Sequence, residues 1–248
     1  MEAGETPSGG LEAELDRIGS AVDAGDTDLS RLGFWRVVAL IKRDDELIDR
    51  YAEQVGRIDG KAFRARVRLR LPVWVGNSLL LGLVAVGSVA VILAVRNANA
   101  NPGQPPKVEL FSGLALLLAA GAWTVGLHSP THWVVGRLAG IRFTDYFLGG
   151  PPPPRPGLKT DYATYLRASP MARAVMHASG AIATKLAPFL ASIFVSTADA
   201  PVWARLALLG LGALLIVTDV LFSTKASDWK KVRRELAVAR SRRRSVLS

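Results

Sequence analysis

Two of the three histidines in this chain, His128 and His132, stand four residues apart in the stretch His128-Ser129-Pro130-Thr131-His132. On a continuous helix an i,i+4 pair lies on one face, roughly 6 Å apart. Two neutral imidazoles converging in this way supply half of a metal site. The residue after His128 is Ser129, whose hydroxyl is no base at neutral pH, so the pair suits metal binding better than acid–base chemistry. Pro130 leaves a second reading open. Ser129-Pro130 also has the form of an N-cap followed by the first residue of a new helix, which would break the shared face. On that reading the histidines are interfacial residues beside Trp133.

The elements that must position these residues are apolar. Residues 72–95, 110–128 and 202–222 are long apolar blocks, and residues 172–195 form a fourth that contains His177 and Lys185. Each offers roughly 18–24 residues, and about 20 in a helix cross a hydrocarbon core. So many all-round apolar helices in a chain of 248 residues do not fit the core of a soluble protein. Ionisable groups inside such segments are costly and normally partnered. Lys185 and Asp219 are expected to form a structural ion pair between the third and fourth spans. His177 begins the third span and Asp228 follows the fourth.

The net charge is +10, which in a soluble protein would suggest nucleic acid. Here the basic residues flank the spans. Arg64, Arg66, Arg68 and Arg70 run into the first, Arg137, Arg142, Arg155, Lys159, Arg167 and Arg173 lie between the second and third, and Arg240, Arg242, Arg243 and Arg244 close the tail. Few lie in the segments between the first and second or the third and fourth. The positive-inside rule then places both termini in the cytoplasm of a multi-pass cell-membrane protein. Anionic headgroups account for the basic flanks, so the lipid bilayer is the expected partner and nucleic acid is not. With this topology His128, His132, His177, Asp219 and Asp228 gather toward one leaflet. There is no cysteine, which excludes disulfides and thiolate metal sites. The opening residues lack the short apolar core of a signal peptide, so the first span is expected to direct insertion.

The predicted fold class is all-α: a polytopic helical membrane protein with about four transmembrane helices and an N-terminal cytoplasmic helical segment. The domains are a cytoplasmic N-terminal helical region over residues 1–70, a transmembrane bundle over 71–223 and a basic cytoplasmic tail over 224–248. Residues 1–10 read as disordered. Apolar spacing predicts a helix over 11–22 and a second amphipathic helix over 34–55. Residues 96–107 read as a flexible outside loop. The proline run within 149–157 reads as an extended polyproline spacer.

Taken together, these residues resemble the site-2 protease family of intramembrane zinc metalloproteases. That family carries H-E-x-x-H on one core helix, a small-residue motif on a later helix and a third ligand in an Asp-Gly motif. His128 and His132 match the two histidines, and His177-Ala178-Ser179-Gly180-Ala181 falls where the small-residue motif would lie, with Ala181 in place of its proline. The resemblance implies Asp228 as the third ligand, with Trp229 where glycine is expected, and zinc as the metal. It covers roughly residues 110–235. The departure is at catalysis. The family's glutamate deprotonates zinc-bound water, and Ser129 stands in its place.

The expected function is therefore that of a non-catalytic relative of site-2 proteases. It would retain a zinc site at His128, His132 and Asp228 and bind or regulate another membrane protein. The alternatives are an active intramembrane metallopeptidase with a displaced general base, and a small transporter or channel using His128, His132, Lys185 and Asp219 as a polar path.

Overall fold

The computed structural model describes residues 7–100, 106–149, 155–222 and 228–247. In chain order the elements are α1 (Pro7–Asp23), α2 (Phe34–Ile41), α3 (Asp45–Arg66), β1 (Arg70–Pro72), α4 (Val73–Ala100), α5 (Pro106–Leu138), β2 (Phe143–Gly149), β3 (Arg155–Thr160), α6 (Tyr162–Arg167), α7 (Pro170–Ile193), α8 (Val202–Phe222) and α9 (Asp228–Leu247). Helix dominates, as the apolar blocks predict. An antiparallel sheet of order β1-β2-β3 is added to it. Its central strand, Phe-Thr-Asp-Tyr-Phe-Leu-Gly, is rich in aromatic residues that favour a pleated surface.

Several boundaries differ from the sequence expectation for local reasons. The amphipathic pattern over 34–55 is two helices, because Asp44 caps a new one, accepting from the backbone N–H of Glu46 at 2.8 Å. Helix α1 begins at Pro7, a residue preorganised for the first helical turn, so residues 7–10 are helical. Helix α4 runs through Ala100, with Ala98 buried, so residues 96–100 are helix and not loop. Prolines 151–154 lie outside the described residues, while Pro156 and Gly157 pair with Leu148 and Phe147 in the sheet.

The chain divides into two compact units. The first gathers α1, α2, α3, the sheet, α6 and α9 from Arg234 onward. Its core comprises Leu15, Ile18, Phe34, Ile41, Val55, Ile58 and Leu166. Arg50 pairs with Glu12 at 2.5 Å, Gln54 donates to Asp16 at 2.7 Å and Lys61 pairs with Asp23. The constant offset of these pairs means that α1 and α3 run parallel. Helix α3 meets α6 closely, since a Cβ on Gly56 would lie 2.8 Å from that of Ala163.

A buried ionic cluster holds the C-terminal helix in this unit. Glu235 accepts from Lys42 at 2.6 Å, from Arg173 at 2.6 Å and from the Tyr165 hydroxyl at 2.9 Å. Arg173 also donates to the carbonyls of Leu166 and Ala168 at the end of α6. Burial alone raises the Glu235 pKa, but Lys42 and Arg173 outweigh it and hold the carboxyl below its usual range. Arg242 adds a hydrogen bond to the Lys42 carbonyl at 2.9 Å. Residues 228–247 of the basic tail thus form a helix, which faces the protein at Glu235 and Arg242.

The second unit contains α4, α5 through Val135, α7 from Ala174, α8 and the start of α9. Its interior is built from small residues: Ala90, Ala94, Ala119, Ala120 and Ala191, with Leu116 and Leu208. Its exposed side chains include Leu79, Leu81, Leu114, Leu118, Leu206, Leu214 and Val220. Small residues inward and large aliphatic residues outward suit helices that pack together within lipid. Three helices, α4, α5 and α8, are long and apolar enough to cross a membrane, which is compatible with a multi-pass membrane protein. The expected third span corresponds to α7, which carries Arg173, His177 and Lys185 and is not among these three.

Candidate metal centre

Whether His128 and His132 share a face depends on Pro130, and helix α5 continues through it from Pro106 to Leu138. Proline removes one intrahelical hydrogen bond, a loss that apolar helices packed against neighbours tolerate. The Thr131 hydroxyl donates to the Leu127 carbonyl at 2.6 Å in the same turn. The N-cap reading of Ser129-Pro130 is therefore overturned. The two imidazoles sit edge to face with ring centroids 4.8 Å apart.

Asp228, the first residue of α9, completes the cluster. Its Oδ2 lies 3.2 Å from His132 Nε2 and 3.5 Å from His128 Nε2. The three ligand atoms all lie within 4.8 Å of one another. Among the described residues this is the group able to hold a metal ion. The other carboxylate oxygen, Oδ1, accepts from Lys231 at 3.0 Å.

The tautomers follow from the partners on α7. His132 Nδ1 lies 2.6 Å from the Met176 carbonyl. A carbonyl only accepts, so Nδ1 carries the proton. His128 Nδ1 lies 3.0 Å from Thr184 Oγ1. That hydroxyl already donates to the Gly180 carbonyl at 2.9 Å, so His128 Nδ1 is the donor here also. Both Nε2 atoms are then bare in the neutral rings and face one carboxylate oxygen. Three such atoms aimed at one locus are balanced by a positive charge among them, a metal ion or a proton on Nε2, and this is the orientation that outer hydrogen bonds impose on metal-binding histidines.

Gly180 makes room for the group. A Cβ there would lie 2.3 Å from His132 Nε2 and 2.7 Å from the His128 carbonyl. Met176, Gly180 and Thr184 follow one another at i, i+4 and i+8, so α7 presents one face to the histidines. The sequence marked Gly180 only as part of a small-residue motif. Met176 and Thr184 went unnoticed, although their helical spacing from Gly180 was the available signal.

The remaining ionisable residues sort themselves. His177 lies beside His132, with ring centroids 6.4 Å apart, but is not one of the three ligating residues. Lys185 and Asp219 form the expected ion pair, at 2.5 Å. The same Asp219 oxygen accepts from the Trp229 indole N–H at 2.5 Å.

Compared with known proteins, the chain matches no family model, and no curated protein or solved structure matches it. The functional reading therefore rests on the geometry of this chain.

Proposed function

We propose that this protein is an integral membrane protein of site-2 protease type that has lost hydrolysis and kept the metal. In this reading His128, His132 and Asp228 hold a zinc ion, and the bundle binds or regulates another membrane protein. The observation that carries the reading is the convergence on Asp228 Oδ2 of two Nε2 atoms, each on a ring held by a hydrogen bond at Nδ1. Ligands on a tetrahedral zinc with bonds of about 2.0–2.2 Å stand roughly 3.4 Å apart; the two nitrogen–oxygen separations are 3.2 and 3.5 Å, and with all three ligand atoms within 4.8 Å of one another the imidazoles would close on a bound ion. Two imidazoles and one carboxylate are a familiar zinc donor set.

A bound zinc ion would supply a Lewis acid with an open position for an oxygen ligand. Hydrolysis needs a base beside it, and Ser129 occupies the place of the glutamate. Asp228 is committed to the cluster, and Asp219 to Lys185 and Trp229. A site without a base binds but does not cleave. The basic segments flanking the spans support a cell-membrane location with both termini cytoplasmic and α7 as a fourth crossing.

The test is the metal content of the detergent-purified full-length protein beside His132→Ala. The reading predicts about one zinc per chain, lost in the variant, and no cleavage of membrane-embedded peptides by the zinc-loaded protein. Cleavage that depends on His132 would overturn the non-catalytic assignment.

A further inference from the structure

Asp228 opens α9, and within that helix its carboxylate meets Lys231 at 3.0 Å. The next residue, Trp229, has a specific tether in the hydrogen bond from its indole N–H to Asp219 Oδ2. Asp219 is held in turn by Lys185 at 2.5 Å, and Lys185 also donates to the Ala181 carbonyl at 3.0 Å. Ala181 adjoins Gly180, the residue packed against His132 Nε2. The circuit therefore starts and ends at the metal cluster: α7 forms the wall behind the histidines and also anchors the residue beside the third ligand.

A pocket of about 240 Å³ lined by Asp219, Val220, Trp229 and Arg233 opens beside the indole, and Trp229 is only half-buried. With space on one side of the ring, the directional hydrogen bond sets its orientation. Successive helical residues are rotated by about 100°, so fixing Trp229 fixes the azimuth at which Asp228 leaves the helix.

We propose that Trp229, gripped by the Lys185–Asp219 ion pair, is the positioning residue that aims Asp228 at His128 and His132. The inference rests on the zinc reading of the site. It assigns the intramembrane ion pair a role beyond joining α7 to α8, and it explains why an aromatic donor stands beside the third ligand.

The experiment is a chelator-competition measurement of zinc affinity on the full-length protein in detergent. Trp229→Phe keeps the aromatic bulk and removes the N–H. It is expected to weaken zinc binding by about 10–100-fold, the usual effect of losing an outer partner of a ligand, with helix content and thermal stability unchanged. Lys185→Met combined with Asp219→Leu removes the acceptor without stranding a buried charge and is expected to give the same loss. Adding Trp229→Phe to that pair should cost nothing more. Trp123→Phe is the matched control: its indole donates to the Val84 carbonyl, away from the cluster, and its loss should leave zinc affinity unchanged. Wild-type affinity in Trp229→Phe would overturn the positioning role while leaving the metal site intact. A wild-type protein that takes up no zinc would overturn both.

Discussion

Gly180→Ala sets two effects of opposite sign against each other. Alanine is the better helix former by about 0.8–1 kcal/mol, so α7 taken alone should gain stability. The added Cβ would lie 2.3 Å from His132 Nε2 and 2.6 Å from its Cε1. Ordinary contact between such atoms needs about 3.5 Å, so the ring must retreat by roughly 1 Å. Zinc–nitrogen bonds tolerate about 0.2 Å. The displaced imidazole therefore leaves the ligand set or strains it, and the loss should be at least the upper end of the outer-partner range, about 100-fold. That is about 2.7 kcal/mol of binding free energy. Chelator competition gives the affinity, and thermal unfolding of the zinc-free protein gives the stability. The expected outcome is weaker zinc binding together with earlier unfolding of the zinc-free protein, because the same Cβ would lie 2.7 Å from the His128 backbone carbonyl and overpacking of about 1–3 kcal/mol outweighs the gain in helix propensity. Unchanged affinity would refute the assignment of Gly180 as the wall of the metal cluster.

Glu235→Gln leaves Lys42 and Arg173, with side-chain exposures of 7% and 0%, without their counter-charge. Breaking a buried pair in this way typically costs about 3–5 kcal/mol, so hydrogen exchange in α9 from Arg234 onward should accelerate. Acid should act on the same contact. The folded-state pKa of Glu235 is depressed, so its contribution is fully present above the ordinary value of 4.5 and is lost as pH falls through the lower folded value. Near-ultraviolet circular dichroism of the Tyr165 environment should report that loss below, and not above, this range. Gly56→Ala drives a Cβ to 2.8 Å from that of Ala163 and should destabilise the α3–α6 contact by about 1–3 kcal/mol, measured by denaturant unfolding.

The apolar blocks were legible because length and composition alone decide whether a helix can span hydrocarbon, and α4, α5 and α8 follow them. Helix α7 was harder to read, since Arg173, His177 and Lys185 interrupt its apolar pattern and their partners come from distant positions in the chain. The His128–His132 pair was legible from its spacing. Its continuity through Pro130 was not, because Ser-Pro marks a helix start as readily as it sits within one. Glu235 was hidden by charge: in a tail crowded with arginines, a single glutamate gave no sign that it was the buried residue. Met176 escaped notice because it acts through its backbone carbonyl, which no side-chain pattern reports. The sheet was missed because β1 has three residues and owes its form to pairing with β2.

Zinc K-edge X-ray absorption on the zinc-loaded, full-length protein tests the central claim most directly. The account predicts about one zinc per chain with two imidazole nitrogens and a carboxylate oxygen in its inner shell, at about 2.0–2.2 Å, and no zinc retained by His132→Ala. A protein that retains no zinc, or zinc without imidazole scattering, would contradict it.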